Sequence, residues 1–411
     1  MLTKIFKKSS FQIIYLLRYI YDLFFFGLIF FVRLIYPFII IRFGPLRSER
    51  IGHFSGNTEQ YLCRRDVRLD NPSTLDIFYH TSPISNHQLK KMWDRTLHVN
   101  RFAKILDYYN KKIPGGKDHI IPWPEGGDRD IHNLFNRVPQ HLNFTDKELE
   151  MGKDYLMKVG LKENDEFICF TARDPAYLNE ISPQHDWSYH DYRNSEINNY
   201  ITAIEVLANK DYYSFRMGAK VSERIHTSNN KIIDYANNGD RTDFLDIFLS
   251  ANCKFFISSP TGIDIVPKIF RRPVLHVNYL PIEWVHTWDS RDLFIPKKLW
   301  LKDEKRLLTF YEIFESGIGK FLTSNQYRNF GIEIIENTDV EITDAVMEME
   351  GRLNGTWSIS AEEEKLQNKF WSIFPKSELH GNISSRIGSK FLRDNIALLE
   401  RSPLHKTLDQ V

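Results

Sequence analysis

The sequence predicts an α/β protein with doubly wound parallel sheet and a hydrophobic helix at its N-terminal end. Three observations predict it. From residue 49 onward, short apolar runs bounded by turn residues alternate with amphipathic stretches of helical period. Residues 243–278 show one such unit whole: helix, buried strand, turn, second helix, second strand. Residues 1–43 depart from this pattern, with almost unbroken apolar and aromatic character.

Bulk properties bound the reading. The chain has 411 residues, enough for two domains and an appendage. Its net charge is +1, so no overall basic field points to nucleic acid. The three cysteines, Cys63, Cys169 and Cys253, lie far apart without a Cys-x-x-Cys or Cys/His spacing. That argues against a disulfide framework and a zinc site, and suits a reducing compartment.

Taken in order, Lys4, Lys7 and Lys8 precede an apolar run over 13–32, and a second run covers 34–41. The first is long enough, as a helix, to cross a bilayer core. It contains Arg18 and Asp22, spaced i,i+4, a pair tolerated near an interface and costly at mid-bilayer. Residues 11–43 are therefore expected to contact a membrane as a lying, re-entrant or spanning anchor. From 49 the expected elements are a strand end and glycine loop at 50–54, a helix starting at 58–63 and a strand at 75–80. A polar helix follows at 86–96, then a strand at 97–99 and a helix at 101–110. The loop 112–133, rich in Gly, Pro and charge, completes a small α/β domain. His53, Glu59, Asp128 and His132 are its candidate polar residues.

Thr145 followed by Glu148 spells a capping box, which opens a helix that Gly160 ends. A domain boundary is placed near 160. Strands are expected at 166–171, 212–217, 232–235, 253–257 and 274–277, with helices at 197–208, 244–251 and 263–270. Ligand crevices of doubly wound sheets lie at the carboxyl ends of the strands. Three loops converge there: Arg173/Asp174, Arg216/Met217/Gly218, and Ser258, Ser259, Pro260, Thr261, Gly262. Two arginines beside a helix start make an anion site. The alternative is that Ser259 or Thr261 merely caps a helix and the arginines form local ion pairs. After 278 the chain reads as an aromatic loop. Helices follow at 308–316, 325–330, 343–352, 361–374 and 385–399.

A set of short motifs runs along this framework. They are Gly52-His53, Phe144-Thr145 with Glu148, Arg173-Asp174 with Tyr177, and Asp191-Tyr192-Arg193-Asn194. Further on come Phe215-Arg216-Met217-Gly218, Asp246-Ile247 with Leu249, Ser259-Pro260-Thr261-Gly262, Leu353-Asn354-Gly355-Thr356-Trp357, and Ile387-Gly388 with Phe391-Leu392. Together they resemble the glycosyltransferases encoded in bacterial O-antigen and surface-polysaccharide gene clusters, over residues 49–399. The resemblance implies a GT-B fold, two Rossmann-like domains facing a cleft. The division would be an anchor at 1–45, an acceptor domain at 46–160, a nucleotide-sugar donor domain at 161–345 and C-terminal helices at 346–411 packing across the domains.

On that resemblance the expected reaction moves a sugar from a nucleotide-sugar to a glycan or lipid-linked acceptor, at the cytoplasmic face of the bacterial inner membrane. Such a transfer must neutralise departing phosphates and deprotonate an acceptor hydroxyl. Arg173, Arg216 and the amides of Thr261 and Gly262 are expected on the diphosphate, and Asp264 or Asn278 on a ribose or sugar hydroxyl. Tyr192, Arg193 and Asn194 would meet the base or sugar. Asp174, Met217, Gly218, Ser258 and Ser259 complete the donor set. His53 is the first candidate for the acceptor's base, with Glu59 and Asp128 behind it. Asp128-Arg129-Asp130 is too short a match to argue a metal loop, so metal-independent chemistry without a cofactor is expected. Two other readings stand beside this one: a non-catalytic, membrane-tethered nucleotide-sugar-binding protein, and a polyol-phosphate transferase acting on a membrane glycan. A Rossmann dehydrogenase is disfavoured because no Gly-x-Gly-x-x-Gly follows a strand.

Overall fold

The computed structural model describes residues 2–69, 73–124, 126–127, 129–181 and 183–401. The chain divides into two compact units, Met1–Pro124 and Glu125–Val411. The contacts therefore draw the division at Pro124, earlier than the expected boundary near 160. The reason is visible in Arg129, whose guanidinium donates to the carbonyls of Trp284, Val285 and Leu379 at 2.6–2.8 Å and ties the 129–143 segment to the second unit.

The first unit runs α1 (Leu2–Leu34), β1 (Ile40–Leu46), α2 (Ile51–Asp66), β2 (Thr74–His80), α3 (His87–Thr96) and α4 (Ala103–Lys111). β1 and β2 pair in parallel, from Ile40 opposite Thr74 to Leu46 opposite His80. Single parallel bridges, Phe43 with Ile120 and Phe78 with Val99, widen this sheet on both sides. Inside it Arg42 grips Asp76 through two bonds of 2.7 and 2.6 Å. The Tyr61 hydroxyl also donates to Asp76, so this buried carboxylate is fully partnered and held below its ordinary range despite the cost of burial. Two sequence expectations are corrected here. Residues 40–46 are a sheet strand, not the tail of an anchor; their apolar run merged with the one before it. Residues 51–66 form one helix, not a strand end and glycine loop, since Gly52 and Gly56 are buried helical positions.

The second unit runs α5 (Asp146–Lys158), β3 (Phe167–Thr171), α6 (Ala176–Ile181), α7 (Asn198–Ala208), β4 (Tyr213–Arg216), β5 (Ile232–Ile233), α8 (Asp243–Asn252), β6 (Phe256–Ser258), α9 (Ile265–Ile269) and β7 (Val274–Tyr279). It continues with β8 (Leu293–Pro296), β9 (Lys298–Leu301), β10 (Arg306–Leu307), α10 (Phe310–Glu315), α11 (Ser324–Asn329), β11 (Ile332–Ile335), α12 (Asp339–Leu353), α13 (Ala361–Ile373), β12 (Arg386–Ile387) and α14 (Ser389–Asp394). Seven strands form one parallel sheet in the order β12-β8-β7-β6-β3-β4-β5. From β3 the chain winds outward through β4 and β5. It then returns to β6 on the other flank of β3 and winds away through β7 and β8. The gap between β3 and β6 is thus the switch point of a doubly wound sheet.

Burial explains the sequence of these strands. β3, β6, β7 and β8 are buried at every residue, as a parallel sheet covered on both faces requires. Along β3, Ile168 and Phe170 join a core with α7 and α12, while Phe167 and Cys169 join a second core with α8. Gly152 permits the close approach of α5 to α8: a Cβ there would stand 2.1 Å from the Phe248 ring. Five helices carry complete capping boxes, including the expected Thr145/Glu148 pair. Two further expectations are corrected. The aromatic loop after 278 contains β8 and β9, and the helix expected at 385–399 is β12, α14 and a 3-10 turn. Helices α12, α13 and α14 pack on the core of the second unit.

Candidate functional site

The switch point gathers the carboxyl ends of β3 and β6. β3 ends at Thr171 and passes through Ala172 into Arg173. β6 ends at Ser258 and passes into Ser259. The Arg173 amide donates to Ser259 Oγ at 2.7 Å, closing the crevice floor between the two strands. Arg193 reaches the same turn, donating to the Pro260 carbonyl at 2.7 Å. The Nε atoms of Arg173 and Arg193 are both buried without a hydrogen-bond partner among the described residues. Neither guanidinium forms an ion pair there. Burial, and then the like charge of Arg193, pull Arg173 down to about 10 from a guanidinium's usual value. Two cations this close, which the nearby Asp191 and Asp174 offset only in part and without an ion pair to Arg173, form a site complementary to an anion.

The loop that carries Arg193 is itself well anchored. Tyr192 is buried, donates its amide to Ser324 Oγ at 3.1 Å and packs 5.5 Å from the Tyr327 ring. The Asn194 side chain donates to Asp191 at 2.9 Å, and its carbonyl accepts from the buried Lys297 ammonium. Asp174 accepts from the amides of Ala176 and Ser222 at 2.8 and 3.0 Å, which folds the loop after β3. Arg173, Asp174, Tyr192, Arg193, Asn194, Ser258 and Ser259 therefore all belong to, or support, the two loops at the switch point.

Other expected donor residues are committed elsewhere. Arg216 is 2% exposed; it donates to the Glu223 carbonyl and lies 3.6 Å from Asp234, so the local ion-pair alternative describes it. Met217 is a core side chain whose amide donates to Phe170 at 2.7 Å. Gly218 is packed close to Val221, where a Cβ would stand at 2.6 Å. The Thr261 amide donates to the Asp264 carboxylate at 3.0 Å. Asp264 thus supplies the negative charge that a phosphate was expected to bring, and α9 behind the turn has only five residues. The turn is closed on itself by Asp264, which makes no side-chain capping bond to the helix it starts. Gly262 is exposed beside it. Asn278, at φ 54°, exchanges two 2.6 Å bonds with Asn337 and is fully buried, so it clips strand β7 instead of reaching a sugar.

In the first unit, His53 and Glu59 both lie on α2. His53 Nδ1 sits 3.2 Å from Asn57 Oδ1, and Glu59 is fully buried with Cys63 Sγ 3.8 Å from its carboxylate. Asp128 lies outside the described residues.

Sequence reasoning missed a buried cluster behind β6 and β7. Lys268 donates to Asp289 at 2.7 Å and to both Asp292 oxygens at 2.8 and 2.7 Å. His276 is 1% exposed, 3.8 Å from Asp264, and neither ring nitrogen has a hydrogen-bond partner among the described residues. Burial, then the Lys268 charge, lowers its pKa to about 3, so it stays neutral. Only the apolar letters flanking His276 in the sequence hinted that it was buried.

No protein-family model and no curated protein matches the sequence. Among solved structures, the chain is similar to a family 9 glycosyl transferase from Veillonella parvula, with 10% identity over 77% of this chain and 97% of that one, at a TM-score of 0.45. It is also similar to E. coli ADP-heptose LPS heptosyltransferase II, with 11% identity over 59% and 86% of the two chains and a TM-score of 0.31. E. coli heptosyltransferase WaaC with ADP shows 10% identity over 62% and 91%, at 0.29. Likenesses below a TM-score of 0.5 carry no assignment; the α/β architecture stands on its own strand order and parallel register.

Proposed function

We propose that the protein is a GT-B-type glycosyltransferase that takes a sugar from a nucleotide-sugar donor and passes it to a glycan or lipid-linked acceptor in surface-polysaccharide synthesis. It would work at the cytoplasmic side of a bacterial inner membrane through its N-terminal helix. The observation that carries this reading is the Arg173–Arg193 pair at the switch point of the parallel sheet. Doubly wound sheets bind nucleotides at that place, and two buried, unsatisfied guanidinium Nε atoms suit a diphosphate. The motif set that resembles surface-polysaccharide glycosyltransferases names the sugar-transfer class.

On this reading the arginines do two things. They bind the donor's diphosphate in the ground state, and they stabilise it further as the bond to the sugar breaks and charge accumulates on the leaving group. The buried hydroxyls of Ser258 and Ser259 are engaged with the backbone of the crevice floor, and Asn194 with Asp191, so these residues would hold the loops in place around the donor. His53 and Glu59 stay the candidates for deprotonating the acceptor, His53 being the less buried of the two.

The test is a thermal-shift screen of the detergent-purified protein against UDP-, GDP-, CMP-, dTDP- and ADP-sugars. A ligand at about 100 times its Kd stabilises by roughly 2.7 kcal/mol. A shift with one nucleotide class, lost in Arg173→Gln, names the donor. A donor that binds but is never turned over with membrane-extracted glycolipids would point to the non-catalytic alternative. No shift with any of them would remove the donor-site assignment.

A further inference from the structure

Helix α1 has two faces of opposite character. A stripe formed by Asp22, Phe25, Phe26, Ile29, Val32 and Arg33, at helical spacing, is turned onto the protein. Phe25 and Ile29 are buried, and Phe25 stacks on Tyr109 of α4 with ring centres 5.4 Å apart. The two charges of this half of the helix both lie on the stripe and both are engaged. The Tyr109 hydroxyl donates to Asp22. The Arg33 guanidinium donates to the carbonyls of Pro114, Asn110 and Ile113 at 2.6–3.2 Å. The outward face is left wholly apolar: Leu23, Phe24, Leu28, Phe30, Phe31 and Leu34 are 37–69% exposed. Phe38, in the turn that follows, is 90% exposed.

An apolar face of this extent marks an interaction surface. Charge beside it selects the partner. Arg101, Lys104, Lys111, Lys112 and Lys117 on and around α4 are exposed, against one exposed acid there among the described residues, Asp118. The Lys112 ammonium lies 4.2 Å from the Tyr108 ring centre and 5.6 Å from that of Tyr109, the ring on which α1 packs. Apolar face flanked by cations fits an anionic bilayer.

Residues 15–34 are long and apolar enough to cross that bilayer. The docked stripe argues otherwise. From Asp22 to Arg33 the helix is fastened to α4 over about 18 Å, at 1.5 Å per residue. A span would carry Asp22, α4 packed beside it and the exposed lysines of α4 into hydrocarbon, where charges are costly. We infer that α1 lies in the plane of one leaflet, held to the first unit by its inner stripe, with its outer residues at the acyl boundary and the α4 cations at the headgroups. This rests on the reading of a membrane-attached protein and specifies its mode.

The experiment measures depth. Leu23→Cys, Phe30→Cys and Leu34→Cys are made one at a time in the full chain and labelled with bimane; the native Cys63, Cys169 and Cys253 are buried. Each is mixed with phosphatidylethanolamine–phosphatidylglycerol vesicles carrying lipids spin-labelled near the headgroup or near the chain end. In-plane insertion predicts that all three probes are quenched more by the shallow label, and to similar extents. Deepest quenching at one position and shallow quenching at the others would mean a span: membrane attachment would stand and the in-plane mode would fall. No quenching by either label, with no flotation on the vesicles, would overturn both and leave the face to a protein partner. Phe30→Ser with Phe31→Ser should weaken vesicle binding about tenfold or more without lowering the melting temperature, since both rings are solvent-exposed in the free protein.

Discussion

Arg173 and Arg216 both follow an apolar strand and both precede a turn, yet burial and partners separate their roles. Arg173→Gln removes one of two crowded cations. It should lower kcat/KM about a hundredfold, the scale of losing one charge-stabilising donor, while the melting temperature holds or rises. Arg216→Ala instead removes a buried guanidinium together with its bond to the Glu223 carbonyl and its ion pair with Asp234. It should cost about 3 kcal/mol of stability, read by urea titration, with any loss of activity following from the unfolded fraction. His276 makes a pH prediction. Folded, it stays neutral down to about pH 3; unfolded, it takes a proton near its ordinary 6.5. Between those values the unfolded chain binds more protons, so stability rises with pH there and falls on acidification, by up to about 1.4 kcal/mol per pH unit. His276→Phe should flatten that slope in acid titrations followed by circular dichroism. At this scale the sequence showed which residues lie at or just past strand ends, because Arg173, Arg216, Ser258 and Ser259 each follow an apolar run. It did not show which side chains turn inward, because Asp234 and Glu223 meet Arg216 only through the fold of a long loop.

The elements that were legible carry local signals. Thr145/Glu148 spelled its cap three residues apart, and the buried strands β3, β6 and β7 stood out as apolar runs between turns. Those that were missed lack such signals. β1 continues an apolar stretch that already reads as a helix, and the glycines of α2 mimic a loop. β12 is two residues long and exists only because β8 offers it an edge. The Asn278–Asn337 clip is of the same kind: the partners stand 59 residues apart, and each supplies the other's amide with an acceptor. Asn337→Ala leaves the Asn278 amide and the Pro296 carbonyl, both partners of the Asn337 side chain, unpaired in the core. The expected cost is about 2–4 kcal/mol for two stranded polar groups, and hydrogen exchange should show β7 and β11 opening first.

On the scale of the whole molecule, the fold class was readable from alternation alone, while the division between units was not. Residues 129–143 look like a continuation of the preceding loop; long-range bonds of Arg129, Asn133, Asn136 and Arg271 assign them to the second unit. A fragment spanning 126–401 contains two complete cores, one on each face of its sheet. It should melt cooperatively and, if Arg173 and Arg193 hold the donor, keep a nucleotide-dependent thermal shift, though it should not turn donor over. A fragment that aggregates or gives no cooperative transition would mean that the first unit is needed to complete the second.

The position of β12 also has a consequence in time. β8 leaves the ribosome at Pro296, but the strand that covers its outer edge is Arg386–Ile387, about 90 residues later. At bacterial rates of roughly 5–20 residues per second, the nascent sheet waits on the order of ten seconds with a row of unpaired backbone groups on that side. During that interval it is a template for another strand. Misassembly of this protein in cells should therefore respond to translation speed between codons 296 and 386 and to chaperones that act on the growing chain, more than to the stability of the finished fold.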